Sequence, residues 1–250
     1  ARLGNLSGIR FLEEMMHLDA KGTRTRDRPR DRAVPEHFQV TCIAPITFRQ
    51  VARRFHGAAP KRPTAVPPSC EAVTRKWANQ LLRAAKFPEL ACGEELLWHG
   101  TSAESSVCIT KFGFDHTKSR RSPVGQAVYF AESISKADEY TERDHKTAWL
   151  VRVRVNEPAV SSATDPRSSR STLRQRAEQS TGCILLDRQA AVGTFREWAM
   201  IDGAQTLPVF MVTYKASTTP FRDDRDDSWV AENSRFFVSV YKQYQRRWGS

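Results

Sequence analysis

The sequence predicts a mixed α/β domain, of the α+β kind, with strands and helices packed around one core. Short apolar runs with β-branched or aromatic residues recur at 38–43, 96–101, 127–131, 148–155, 182–186, 197–201 and 208–214, at strand length and too short for buried helices. Other stretches, at 48–55 and 69–86, place their apolar residues on one helical face. Proline, glycine and charge clusters separate the two kinds of segment.

The 250 residues suffice for one sizeable domain, or for a domain with a small extension. Hydrophobic residues make up 40% and charged residues 27%, as in ordinary globular proteins. The net charge of +11 is unusual and predicts attraction to polyanions: nucleic acid, a ribonucleoprotein, a phosphorylated partner or a dinucleotide. A solvated basic surface without a partner explains the charge equally well. The five cysteines form no CxxC and no cluster with histidine, which predicts free, mostly buried thiols in a reducing intracellular compartment, nuclear or cytoplasmic. No run is long and apolar enough for a membrane span, and no signal-peptide pattern opens the chain. A first residue other than Met, Ala1, fits a processed or excised piece.

Residues 8–17 carry Ile9, Leu12, Met15 and Met16 at helical spacing. Residues 21–32 are a charge run and read as a solvated, flexible loop, or else as a basic arm for an acidic partner. A strand at 38–43 follows, then a helix at 48–55 with Phe48, Val51, Ala52 and Phe55 inward and Arg49, Arg53 and Arg54 outward. Four prolines, at 60, 63, 67 and 68, make 58–68 a linker or surface loop. Helical spacing resumes through Val73, Trp77, Leu81, Leu82 and Ala85, with Ser69 as a candidate N-cap. A further helix spans 103–111 and stops at Gly113. Residues 161–176, rich in Ser and Arg, read as a poorly ordered insertion. Asp202-Gly203 is a turn pair that makes a tight hairpin of the flanking strands if they pair. Residues 220–227 are charged loop, and 229–248 carry Phe236, Phe237, Val240, Tyr241 and Tyr244 at helical spacing.

One stretch organises the chain. Leu96-Leu97-Trp98-His99-Gly100-Thr101 reads as a buried strand that delivers His99 to its end, with Gly100 allowing close backbone approach. Val128-Tyr129-Phe130-Ala131 is a second strand, preceded by Gly125 and carrying Tyr129. Ser133 caps a short helix over 134–141, which sets Tyr140 near its last turn. This stretch resembles the catalytic domain of the poly(ADP-ribose) polymerase family, the diphtheria-toxin-like ADP-ribosyltransferases. The likeness rests on His99-Gly100-Thr101, Gly113-Phe114-Asp115, Gly125 and Tyr129-Phe130-Ala131, with Ser135 and Tyr140 at the family's offsets. A third block, Arg196-Glu197-Trp198-Ala199-Met200-Ile201-Asp202-Gly203-Ala204-Gln205, is similar to the family's last catalytic strand. The blocks stand in the family's order, and the resemblance covers about 38–215. It implies a catalytic domain over 36–216, an N-terminal helix and basic loop over 1–35, and a C-terminal extension over 217–250.

The resemblance implies an ADP-ribosyltransferase fold, two packed and mostly antiparallel sheets forming an NAD cleft flanked by helices. It also implies transfer of ADP-ribose from NAD to a protein acceptor with release of nicotinamide, and chain elongation as an option. Breaking the nicotinamide–ribose bond develops positive charge on the ribose, which a carboxylate stabilises. Glu197 suits that role and acceptor activation. Tyr140 suits stacking on nicotinamide, and the Gly100 backbone suits its carboxamide. His99 suits a ribose hydroxyl, and Tyr129 lines the pocket; the family's catalytic triad falls on His99, Tyr129 and Glu197. Thr101, Ala131 and Ser135 fall in the same NAD-binding blocks. Residues 115–125 match the donor loop, where Lys118, Arg120 and Arg121 are candidates for the pyrophosphate. Some family members carry a zinc site after the stacking tyrosine; 141–147 hold no cysteine, so no metal is expected. Ala137 stands at the offset of the family's carboxamide-binding serine, and Ala127 replaces a glycine. Both departures count against polymer synthesis. Two other readings compete: a basic accessory module of a nucleic-acid or ribonucleoprotein assembly, and a transferase acting on nucleic-acid ends.

Overall fold

The computed structural model describes residues 8–19, 22–46, 49–57, 73–84, 87–119, 123–143, 146–161, 169–180 and 182–222. In chain order the elements are α1 (Gly8–Asp19), β1 (His37–Pro45), α2 (Arg49–Gly57), α3 (Val73–Ala84), β2 (Glu94–Thr101), α4 (Ala103–Phe112), β3 (Val128–Ala131), α5 (Ile134–Asp138), β4 (Lys146–Arg154), β5 (Ala159–Ser161), α6 (Arg170–Gln179), β6 (Cys183–Asp187), α7 (Arg188–Val192), β7 (Arg196–Met200) and β8 (Thr206–Ser217).

The strands hydrogen-bond in the order β1-β8-β4-β2-β3-β7-β6-β5. Every neighbouring pair is antiparallel except β5 and β6. The two expected sheets are therefore halves of one. β1, β8, β4 and β2 form long ladders, as do β3, β7 and β6 at shorter length. The halves meet at a single pair, Trp98 opposite Ala131.

Side-chain alternation divides the core. On β4, Ala148 and Leu150 pack on one face with Ile9, Leu12, Met15 and Met16 of α1 and with Leu81 and Leu82 of α3. Trp149, Val151 and Val153 pack on the other with Phe130, Trp198 and Met200. Such burial on both faces explains the unbroken apolar run Ala148-Trp149-Leu150-Val151 in β4. Each large apolar side chain so buried contributes about 1.5–3 kcal/mol relative to exposure. A third cluster joins Val124 and Ala127 to Leu173 and Ala177 of α6.

Four expectations need correction. The charge run at 21–32 is not all solvated: Arg28 is 3% exposed and paired with Asp138. Part of the Ser/Arg-rich insertion is helical, because Leu173 and Ala177, one turn apart, give α6 enough apolar face to dock. β7 and β8 do not pair, so Asp202-Gly203 makes no hairpin; Asp202 instead accepts from the Ala204 amide and opens a 3-10 turn that crosses between the halves. Cys42, Cys92 and Cys108 are exposed, and Cys183 alone is buried among the described cysteines. Cys42 lies beside a register shift in β1, where the strand presents it to solvent. The expected cap Ser69, the loop at 58–68 and the helix at 229–248 lie outside the described residues.

Among the described residues no helix is long and apolar enough to cross a membrane. No group of three or more His, Cys, Asp or Glu among them is placed to hold a metal ion.

Candidate active site

The site forms where the two half-sheets part. The β2–β3 ladder consists of Trp98 opposite Ala131, and Ala131 in turn lies opposite Glu197. This row sets His99, Tyr129 and Glu197 on three adjacent strands. Beyond the row the His99 ring bridges the gap, with Nδ1 2.8 Å from the Tyr129 carbonyl oxygen. That partner is an acceptor, so Nδ1 carries the proton and Nε2 is the acceptor nitrogen. Burial lowers the His99 pKa to about 4 against the opposing effect of that hydrogen bond. The ring is neutral at physiological pH. Phe114 and Phe130 pack against it, with ring centroids at 4.9 and 5.6 Å.

Gly100 faces α5 at very close range. A Cβ built on it would stand 1.7 Å from the Ala137 carbonyl oxygen. Only a glycine lets β2 and α5 approach this closely. Ser133 caps α5 by accepting from the Ser135 amide, and the helix lies almost wholly buried. It ends at Asp138, short of the expected residue 141, so Tyr140 lies in the turn beyond it.

Tyr129 is half-buried, and its hydroxyl serves the preceding loop. It accepts from the Val124 amide at 3.1 Å and donates to the Gly125 carbonyl at 3.3 Å. Gly125 has φ +91°, which favours glycine. The Arg170 guanidinium lies against Gly125, and Arg174 donates to the Gln126 carbonyl at 2.8 Å, so α6 braces the end of the expected donor loop. Arg120 and Arg121 lie outside the described residues, and Lys118 sits exposed in a 3-10 turn.

Glu197 is held by its neighbours. Arg196 donates to Glu132 Oε2 from Nε at 3.0 Å and Nη2 at 2.9 Å, and Trp198 donates to Glu132 Oε1 at 3.0 Å. Both flanking side chains thus point to one face, and alternation turns Glu197 to the other. There its Oε2 lies 3.9 Å from Lys136 Nζ. Lys136 donates to Asp27 and Glu139, each at 2.8 Å, and its Nζ lies 5.0 Å from the Tyr140 ring centroid. The Tyr140 hydroxyl donates to Asp27 at 3.4 Å, while the residue stays 49% exposed.

The charges follow from these contacts. Burial raises the Glu197 pKa, and Lys136 opposes the shift without cancelling it. Burial would lower the pKa of Lys136, but Glu197, Tyr140 and Glu139 outweigh it and keep the ammonium charged. Burial raises the Tyr140 pKa, and Glu197 adds to the shift.

The structure therefore groups Glu197 of β7 with Tyr140 in the turn after α5, and His99 of β2 with the Tyr129 backbone of β3. Thr101 and Ser135 are buried, and Ala131 belongs to the core beneath α5. Sequence reasoning missed Lys136, Asp27, Glu132 and Glu139, and gave Phe114 no role. Lys136 stood in plain view between Ser135 and Ala137. Asp27 carried no signal, because it lies in a charge run 109 residues from Lys136.

A model of the poly(ADP-ribose) polymerase catalytic domain matches residues 55–181. The match includes His99, Gly100, Tyr129 and Tyr140 and stops before β7, the strand of Glu197. No curated protein matches the chain. With half of its length matched, including β2 and β3 of the row at Trp98 and Ala131, the chain belongs to the poly(ADP-ribose) polymerase catalytic domain family, whose members are NAD-dependent ADP-ribosyltransferases.

Proposed function

We propose that this chain transfers ADP-ribose from NAD to a protein acceptor with Glu197 as its essential carboxylate. The observation that carries the reading is the pairing of an exposed aromatic face with a buried carboxylate. Tyr140 offers its ring 5.0 Å from the Lys136 ammonium, and Glu197 lies 3.9 Å from the same ammonium. Nicotinamide stacked on Tyr140 places its ribose toward Glu197, where positive charge develops as the bond breaks. Neutral His99, with Nε2 as acceptor, takes a hydrogen bond from a ribose hydroxyl. The Gly100 backbone meets the carboxamide. Tyr129 acts mainly through its hydroxyl, which holds the turn at Gly125. Phe114 walls the histidine.

Single transfer fits better than elongation, because Ala137 supplies no hydroxyl to the donor amide. A nuclear or cytoplasmic setting fits Cys42 and Cys108, which are exposed thiols. The test is incubation with NAD labelled on the adenylate, followed by sizing of labelled protein and labelled oligonucleotide. Discrete labelling of protein supports single transfer, and a ladder of longer products supports elongation. Label on oligonucleotide supports end modification. NAD that is neither bound nor consumed supports the accessory-module reading.

A further inference from the structure

We propose that Asp27 is a positioning residue of this site: it holds the Lys136 ammonium away from Glu197, so that the Glu197 carboxylate stays available to the donor ribose. The inference rests on the transferase reading above and goes beyond it, since Asp27 lies outside the 55–181 match.

The geometry begins with the segment before β1. Arg28 fastens it to α5, donating from Nη1 to Asp138 at 2.9 Å and from Nη2 to the Ser135 carbonyl at 2.8 Å. Thr25 adds a hydrogen bond to Glu139 at 2.8 Å. Asp27, between these two anchors, has little freedom to leave. Its Oδ2 accepts from Lys136 Nζ at 2.8 Å and from the Tyr140 hydroxyl at 3.4 Å. Glu139 takes a second Lys136 proton at 2.8 Å. Glu197 at 3.9 Å lies beyond hydrogen-bond range of the same nitrogen.

One ammonium is thus divided among three carboxylates, and the two near ones are not the reacting one. With Asp27 removed, the Lys136 proton that it accepted loses its partner, and Glu197, 3.9 Å from the same nitrogen, is the carboxylate left to take it. A direct Lys136–Glu197 bond would neutralise the charge that the oxocarbenium-like ribose needs and occupy the oxygen that holds its hydroxyl. Asp27 also steadies the Tyr140 ring by its hydroxyl, so the same side chain serves stacking and charge.

The groups facing Glu197 are Lys136 from α5, Glu139 at its C-cap, Asp27 from the N-terminal segment, Tyr140 from the turn and Arg188 from α7. Asp27 raises the Glu197 pKa, and Lys136 lowers it. Asp27→Asn removes the first influence and strengthens the second, so protonation of Glu197 moves to lower pH. The side chain of Asp27 is 40% exposed, which lets the substitution leave the fold in place.

The experiment compares wild type, Asp27→Asn and Asp27→Glu by nicotinamide release and by protein labelling across pH. The expected result for Asp27→Asn is a fall in kcat of about tenfold, the scale of a mispositioned reacting group, with a smaller change in KM for NAD. The acid limb of its kcat profile should move to lower pH, and Asp27→Glu should recover part of the loss. A purely structural role would lower kcat by one factor at every pH, and that result overturns the inference. So does wild-type kcat in Asp27→Asn. Wild-type protein that releases no nicotinamide overturns the inference and the transferase reading together, whereas an active wild type with an indifferent Asp27 overturns the inference alone.

Discussion

The carbonyl oxygen of Ala137 occupies the space that a Cβ on Gly100 would need, at 1.7 Å. Backbone, not a flexible side-chain tip, is the obstacle. Gly100→Ala must therefore push α5 off β2. Overpacking of this kind costs about 1–3 kcal/mol or more. Since α5 carries Lys136 and leads to Tyr140, NAD binding should fall together with thermal stability. A variant with wild-type Tm and NAD affinity would show that the contact is not needed.

Glu197→Gln keeps size and removes charge. Transfer should drop by roughly two to four orders of magnitude, the effect of losing a positioned electrostatic or acid–base group. NAD should still bind, as measured by calorimetry. Tyr140→Ala should do the reverse: NAD affinity falls first, and the exposed ring costs little stability when removed. Full transfer by Glu197→Gln would refute the assigned role.

His99 gives stability a pH dependence of its own. Its folded pKa is lowered from 6.5 to about 4. Between those values the unfolded chain binds the proton and the folded chain does not, so stability falls as pH drops through that window. Below the folded value there is no further loss from this group. The increment is up to about 3 kcal/mol. Urea titrations at pH 7 and pH 5 should show the loss in wild type and a smaller one in His99→Asn. Equal losses would assign the effect to other groups.

Arg28→Ala should be destabilising, because it leaves Asp138 Oδ2 and the Ser135 carbonyl without a buried donor, while Lys146 and the Tyr214 hydroxyl still hold Asp138 Oδ1. Leaving buried acceptors unsatisfied costs about 1–3 kcal/mol each. Arg30→Ala, three chain steps from Asp27 and exposed, is the control and should change Tm little. Similar Tm values for the two variants would show that the segment contributes nothing to the fold.

Local pattern alone determined most of the elements. Two-residue alternation marked β1, short apolar runs marked β4 and β8, helical spacing marked α1 and α3, and Gly113 ended α4. The blocks at His99, Tyr129 and Glu197 also showed in the sequence, since each residue sits at a fixed place on its own strand. What the sequence did not carry is which partners those residues meet. A buried arginine and a solvated one look alike in a charge run; Arg28 is buried because Asp138 waits on α5. Strand order is likewise a property of long-range pairing, so Asp202-Gly203 promised a hairpin that the crossing from β7 to β8 did not make. The environment of Glu197 belongs to the same class. Its charge depends on burial, on an ammonium 61 residues back at Lys136 and on the carboxylate of Asp27, and chain neighbours hold no record of distances that only folding sets.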